Sequence, residues 1–411
     1  MRCFLLLMLL PVQLVFSQDQ LTIKEALDYA LKNNPDLNQS TEARNKASLM
    51  RYTSLGLQPL KLSFMQEGMP ELSGSAFAEK KQTLTQNIDF PLTSFYRYKS
   101  FSAGYAAADL RLDQARKNLK AEVKQAYVNL IHARKMIDLS KQKLAIARNL
   151  QETARNRFAA GEASEMEVMK TEISLAEAEN DELNAELDFD NSRYALFETI
   201  GLETEEQRYD IVFPDSLAFA DFSIDQHEIL NNLNLQPGLM SREKTVLANQ
   251  YAVKNAWSQF LPDFSLNIYR QDFGGGYDFY GFEAGFSIPL WFISNQMPAI
   301  RMARAEKRAA QFELTKTRLA FKREIENAWH GFSTSRETLI RYQNLISERS
   351  DKLLELALEG YRLGETGLLD LLDTQRTYII SRENYYNALR NYYLRLVDLE
   401  KHMAHEIVFT E

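Results

Sequence analysis

Apolar residues in two long stretches of the chain recur at alternating spacings of four and three. The first stretch runs from Leu119 to Phe158, and the second runs from Leu314 to Leu363. A 4-3 repeat that lasts over many heptads is typical of coiled-coil helices. Several repeat positions are small or polar, so the contact is not uniformly apolar. We predict one long helix over residues 94–160 and a second that ends near residue 363.

Two other segments alternate between apolar and polar residues, which predicts β-strands. They form hairpins over about residues 60–90 and about 263–289, and each strand has one apolar and one polar face. Strands of about ten residues with this polarity are expected of tilted membrane strands. Soluble antiparallel hairpins alternate in the same way, so both interpretations stay open.

The helical and strand patterns occur twice, about 200 residues apart. Four landmarks keep their order: Asn34-Pro35 with Gln236-Pro237, Pro59 with Pro262, Phe90-Pro91 with Ile288-Pro289, and Phe158–Gly161 with Tyr361–Gly364. We therefore predict two tandem repeats, residues 18–201 and 237–411, joined by a collar segment at 202–236.

Helix lengths indicate how each repeat is arranged. The helix over 94–160 would be about 100 Å long at 1.5 Å per residue, and its partner over 164–200 reaches little more than half that height. The helix over 35–57 has roughly the missing length. One long helix flanked by two shorter ones therefore puts the strands at one end and the tips, 158–168 and 361–373, at the other.

The N-terminus and the composition narrow the class of protein. Arg2 followed by an apolar run predicts a signal peptide over residues 1–17, and Cys3, the only cysteine, lies within it. A mature chain without cysteine has neither disulfides nor thiolate metal ligands. The formal charge of −8 argues against a nucleic-acid partner. We find no nucleophile–base constellation, and we expect no enzymatic activity, no cofactor and no metal site.

Four strands in one chain cannot close a barrel around water, and open strand edges are not tolerated in lipid. A membrane sheet would therefore need several copies. Three copies would give a twelve-stranded barrel that is wide enough for a lumen.

The chain resembles the TolC family of outer-membrane efflux channels over essentially its whole mature length. The resemblance lies in the opening Leu21–Pro35, in the strands bounded by proline and in the two glycine-containing tips. It implies an α+β membrane protein: a trimer whose twelve-stranded β-barrel, with four strands per chain, continues into a long periplasmic α-helical coiled-coil barrel. The implied function is an outer-membrane exit duct that passively conducts substrates and is gated at the periplasmic tips.

The resemblance also implies partners and a location. We expect a homotrimer in outer-membrane lipid of a Gram-negative bacterium, with a large periplasmic part. It would dock on a periplasmic adaptor (membrane fusion) protein and an inner-membrane pump, with the RND type as one candidate. The alternatives are an outer-membrane channel of type I protein secretion and, in a different class, a soluble periplasmic coiled-coil adaptor or scaffold.

Asp370 and Asp373 match the family's periplasmic constriction. Their i, i+3 spacing puts both on one helix face, and threefold symmetry would make two rings of three carboxylates. Acidic rings favour cations in a narrow pore. Acids are also favoured in the first helical turn by the helix dipole, which is a purely structural explanation.

The remaining candidates lie in the two tips. Tyr361 matches a residue that helps to hold the family's tips closed. Thr366 stands where the best-known family clamp has an arginine, although Glu167 keeps the acid of the other tip, so the clamp is in doubt. Gly161, Gly364 and Gly367 are predicted turn residues. Leu363 and Leu368 are candidate contacts for an adaptor, with burial against a neighbouring chain as the alternative.

His402 and His405, near the C-terminus, have the i, i+3 spacing of metal ligands on a helix. Two histidines in such a position are more often solvated than bound to a metal, so we expect them to be solvated.

Overall fold

A computed structural model of the chain describes residues 21–68, 77–203, 213–403 and 406–408. The predicted signal peptide and His405 lie outside the described residues. The described helices are α1 (Ile23–Asn33), α2 (Pro35–Met50), α3 (Pro91–Ala159), α4 (Glu165–Ile200), α5 (Gln226–Asn231), α6 (Pro237–Ser258), α7 (Gln296–Arg362) and α8 (Leu368–Glu400), and the strands are β1 (Lys61–Glu67), β2 (Glu79–Ile88), β3 (Asp263–Asp272) and β4 (Asp278–Ser287).

Local sequence signals set several helix starts. Thr22 caps α1: its hydroxyl accepts from the Glu25 N–H, and the Glu25 carboxylate accepts from the Thr22 N–H at 2.9 Å. Proline opens α2, α3 and α6, where its missing N–H costs no helical hydrogen bond. The predicted end of α2 at residue 57 was wrong. The helix ends at Met50, a 3-10 helix follows, and Gly56 at φ 73° then turns the chain.

The four strands form one antiparallel sheet in the order β1-β2-β3-β4. Its register sorts the side chains by polarity, since residues in one cross-strand row share a face. One row is apolar and one is polar: Leu62, Leu84, Ile268 and Phe282 in the first, and Lys61, Thr85, Asn267 and Glu283 in the second. The sheet therefore has one apolar and one polar face, as the alternation predicts.

The long helices form an extended layer beyond the sheet. At 69 residues, α3 is about 100 Å long. It packs against α4 and α8 towards its C-terminus and against α2 and α6 nearer the sheet, while α7 packs against α6 and α8. Within the described part of the chain, no helix is both long enough and apolar enough to cross a membrane.

The predicted 4-3 repeat is buried along much of α3, where Val123, Leu130 and Ala147 are inaccessible to solvent. In α7 the prediction fails towards the C-terminal end. Leu354 and Ala357 are buried there, whereas Leu353 and Leu356, which continue the 4-3 spacing from Leu314, are exposed. A straight α-helix turns by about 20° per heptad relative to a strict 3.5-residue repeat, so the buried face shifts along a long helix.

The segment after residue 213 connects two apolar cores. Phe213 lies in the core formed by α1, α3 and α4, and Phe219 packs on the core formed mainly by α7 and α8. Leu217 contacts both cores. The segment therefore crosses the middle of the helical layer, far from the sheet and from the tips.

The paired helical tips

The turn from α3 to α4 is closed by backbone hydrogen bonds. Gly161 adopts φ 76°, a conformation that favours glycine, and its N–H donates to the Phe158 carbonyl at 2.9 Å. Ser164 then caps α4, with its side chain accepting from the Glu167 N–H. Glu167 is thereby held in the first turn of α4, facing the second tip.

The turn from α7 to α8 follows the same plan. Gly364 adopts φ 80° and its N–H donates to the Tyr361 carbonyl at 3.2 Å. The Glu365 and Thr366 N–H groups both donate to the Gly360 carbonyl, at 2.8 and 3.1 Å. Gly367 has an extended backbone and precedes α8 without a side-chain cap.

Three side chains join the two tips within one chain. The Tyr361 hydroxyl donates to the Glu167 carboxylate, with 3.3 Å between the oxygens. The Arg157 guanidinium lies 4.7 Å from the centre of the Tyr361 ring and donates to the Tyr361 carbonyl at 3.0 Å. We call Arg157, Glu167 and Tyr361 the tip latch.

Tyr361 is the buried member of the latch, at 2% exposure. Its ring belongs to an apolar cluster with Leu150, Leu368 and Leu371. Burial, with the nearby Glu167 carboxylate as a smaller cause, raises the pKa of the Tyr361 hydroxyl. The hydroxyl therefore stays protonated at neutral pH and acts as a hydrogen-bond donor.

Asp370 and Asp373 lie in the first two turns of α8, on the exposed side of the helix. Neither carboxylate has an ion-pair partner in the part of the chain that the structure describes. Arg376, one turn further along, is also exposed, and within the described residues no ion pair joins it to Asp373. The two acids form a small negative patch beside the second tip.

The leucines of the second tip divide into two groups. Leu363 and Leu369 are each 67% exposed and stand free at the end of the molecule. Leu368 is only 6% exposed and packs in the Tyr361 cluster, so the prediction of an exposed contact is corrected for this residue. The first residue of α8 points back into the helical hairpin, whereas its neighbour in sequence points away.

Two residues of the tips have roles that sequence reasoning missed. Nothing in the helical periodicity brings Arg157 towards Tyr361, 204 residues away. Gly360 looked like one small position in a heptad, yet a Cβ there would lie 2.3 Å from the Thr366 hydroxyl oxygen. The sequence signal that could have indicated this close approach is the pair of glycines, Gly360 and Gly364, next to a turn.

The expectation that His402 is solvated is wrong. His402 is buried beside Phe321 instead of solvated, and burial lowers the pKa of its imidazole to about 4. Over the described ranges, no group of three or more potential metal ligands occurs.

Comparisons with known proteins agree with this architecture. A model of the family described as "Outer membrane efflux protein" matches residues 68–202 and 230–405. The cobalt-zinc-cadmium resistance protein CzcC of Cupriavidus metallidurans is 22% identical over 298 residues, which are 72% of this chain and 69% of that protein. Nodulation protein T of Rhizobium leguminosarum bv. trifolii is 21% identical over 390 residues, 89% of this chain and 82% of that one.

Among solved structures, the Campylobacter jejuni CmeC outer membrane channel has the same fold. It aligns with a TM-score of 0.81 at 21% identity, over 92% of this chain and 85% of that one. The family model covers well over half of the sequence. The chain therefore belongs to the outer membrane efflux protein family, the TolC-type channels that its sequence resembles, and its location is the outer membrane.

Proposed function

We propose that three copies of this chain form the exit duct of a tripartite efflux system. Their sheets close into a twelve-stranded barrel, and their helical layers continue it into the periplasm. Residues 18–201 and 237–411 act as two tandem repeats around the collar at 202–236. A periplasmic adaptor and an inner-membrane pump supply the substrate and the energy, and the tips act as the gate.

One observation carries this proposal: the sheet and the helical layer have their outer edges on the same two sides of the chain. β1 and β4 are the outer strands of the sheet. β1 follows α2 in the chain, and β4 precedes α7. In the helical layer, α2 and α4 lie at one edge and α7 at the other. The open edges therefore line up along the whole length, which is what repeated copies need to close a ring.

The helical edges carry exposed apolar residues at coiled-coil spacing. On α4 these residues follow a 4-3 repeat, and we call them the α4 stripe: Met166, Met169, Ile173, Leu183 and Leu187. On α7, Phe312 and Leu319, one heptad apart and further from the sheet, are exposed. Each edge thus has the apolar surface of half a helix–helix contact.

Charging the α4 stripe is expected to break the oligomer. Ile173→Asp with Leu183→Asp would bury two unpaired carboxylates in the contact between copies, which costs several kcal/mol per charge. We expect monomers in light scattering after size-exclusion chromatography in detergent. The matched control, Ser174→Asp with Asn184→Asp, puts the same charges one position off the stripe and should stay trimeric. Trimers in the stripe variant would contradict the proposed contact.

Asp370 and Asp373 are proposed as the gate. Around a threefold axis, two exposed acids per chain give six carboxylates in two neighbouring rings of the duct. Such rings attract cations and repel anions. Leu363 and Leu369, exposed at the same end, are proposed as adaptor contacts.

Neutralising the gate is expected to weaken cation selectivity. Asp370→Asn with Asp373→Asn removes all six charges from the rings while keeping side-chain size, so the reversal potential in a salt gradient should move towards zero in planar bilayers. Block by divalent cations should weaken as well. Glu179→Gln with Glu186→Gln, two exposed acids on α4, is the control and should leave both unchanged. Unaltered selectivity and block in the aspartate variant would remove these residues from the constriction.

A further inference from the structure

We propose that the turn from β4 to α7 inserts into the inner leaflet of the outer membrane, and that the start of α7 binds the headgroups of anionic phospholipids there. We call residues 288–295 the junction turn. The inference rests on the proposed membrane position of the sheet. It adds a lipid-binding surface directly after β4, between the sheet and α7.

The junction turn exposes three large apolar side chains side by side. Leu290, Trp291 and Ile293 are 75%, 78% and 75% exposed. Surface leucines are ordinary when they are scattered, but a contiguous patch with a tryptophan at its centre marks a contact site. The turn also continues the apolar face of β4, since Phe286 near the end of β4 and Ile288, the first residue of the turn, are exposed as well.

The turn is held in shape by its backbone and by one ring that packs on a neighbouring segment. The Ser294 and Asn295 N–H groups both donate to the Trp291 carbonyl at 3.2 Å, and Met297 N–H donates to Phe292 at 2.9 Å. The Phe292 ring packs 5.9 Å from the ring of Phe260. Phe292 thus fixes the turn to the end of α6 and leaves its neighbours facing outwards.

The first turns of α7 are basic. Arg301, Arg304 and Arg308 are exposed and lie at i, i+3 and i+7, so they share a helix face. Lys307 is a fourth cation, and Glu306 is the single acid between residues 296 and 308. Within the described residues, none of the four cations forms an ion pair. In a chain with a net charge of −8, this cluster is a local reversal of charge.

Cations lie over aromatic rings on α3, α6 and α7, three of the four helices that join the sheet. Arg304 lies 5.5 Å from the Trp257 ring, Lys99 5.6 Å from Phe95 and Lys254 5.8 Å from Tyr96. Aromatic rings favour the level of lipid headgroups, and long basic side chains reach from there to phosphates. Cations beside an apolar turn therefore match a bilayer surface with anionic headgroups.

Fluorescence of Trp291 tests the insertion directly. The chain has three tryptophans, so Trp257→Phe with Trp329→Phe leaves Trp291 as the sole probe. In vesicles of phosphatidylglycerol brominated on the upper acyl carbons, we expect Trp291 to lose most of its emission. Bromine deep in the chains should quench it less. The control, Trp257→Phe with Trp291→Phe, leaves Trp329 in the middle of α7, and its emission should not change. An unquenched Trp291, as expected if a second copy covers the turn, would overturn the proposal.

The headgroup contact is tested through the cations. Arg301→Gln, Arg304→Gln and Arg308→Gln together should reduce the preference for phosphatidylglycerol over phosphatidylcholine by about fivefold or more, measured as lipid retained on the purified protein by native mass spectrometry. Lys316→Gln, Lys322→Gln and Arg323→Gln remove three exposed cations further along α7 and should leave the preference unchanged. An equal loss in both triple variants would contradict a specific headgroup contact.

A probe on the sheet separates this proposal from the proposed function. Phe282→Trp, in a chain with all three native tryptophans replaced by phenylalanine, reports on β4 itself. Quenching of this probe together with quenching of Trp291 supports the proposal. Quenching at Phe282→Trp without quenching at Trp291 overturns the anchor and leaves the channel intact. If neither probe is quenched, the membrane position of the sheet is wrong as well.

Discussion

Replacing Lys124 by alanine is expected to destabilise the folded chain by about 3–5 kcal/mol, because it leaves a buried carboxylate without its partner. Lys124 and Glu400 are 1% and 7% exposed, and the ammonium nitrogen lies 2.9 Å from a Glu400 oxygen. The other Glu400 oxygen accepts the backbone N–H groups of Ile407 and Val408 at 2.5 and 2.9 Å. Loss of the lysine therefore weakens the contact between α3 and α8. It also weakens the packing of Ile407 and Val408 against Glu400.

Thermal unfolding in detergent, followed by far-ultraviolet circular dichroism, measures this effect as a fall in Tm. Lys120→Ala is the matched control, because Lys120 pairs with Glu406 at 2.6 Å in a solvent-accessible position, where an ion pair contributes about 1 kcal/mol or less. Lys124→Met with Glu400→Gln removes both charges and keeps an acceptor for Val408, so it should recover most of the lost stability. A Tm for Lys124→Ala within the range of the Lys120 variant would show that the buried pair contributes little.

Removing the tip latch is expected to open the closed channel. Arg157→Ala removes a charge-assisted hydrogen bond to the Tyr361 carbonyl and the contact with the ring, and Tyr361→Phe removes the hydrogen bond to Glu167. Hydrogen bonds to charged groups contribute about 1.5–3 kcal/mol each, so each change should shift the ratio of open to closed channels by about tenfold or more. The measurement is the open fraction in planar bilayers.

Arg155→Ala is the control for the latch, since Arg155 lies on the same helix and pairs with Glu172 at an exposed position. It should leave the open fraction near that of the unmodified protein. If the Arg155 and Arg157 variants raise the open fraction equally, the charge at the tip holds the channel closed and the contacts of the latch do not. If neither opens, the tips are held by other contacts, such as the apolar cluster around Leu371.

The architecture could largely be predicted because it follows from periodic patterns. The 4-3 repeat predicts α3 and the alternation predicts the strands, and the structure confirms both. Periodicity works there because a helix or strand presents one face to its neighbours over many residues. It loses accuracy where small errors accumulate, as at Leu353 and Leu356 near the end of α7.

The details of the tips and of the buried charges could not be predicted, because they depend on where distant segments meet. Lys124 looks like an ordinary surface lysine until the C-terminal segment is placed beside it. Arg157 looks like one of several basic residues before a turn, and its contact with Tyr361 depends on the relative height of the two helical hairpins. A difference of one helical turn, about 5.4 Å, would separate them.

The central claim is that copies of this chain meet around one axis at the second tip. Cross-linking of Asp373→Cys tests it most directly, in a chain whose only native cysteine, Cys3, lies in the predicted signal peptide. A short bis-thiol reagent with a cleavable linker should join copies into dimers on a denaturing gel and stop conductance in planar bilayers, and cleaving the linker should reverse both. Asp28→Cys, exposed on α1, should give no such cross-link. Only monomers from Asp373→Cys, with conductance unchanged, would contradict the account.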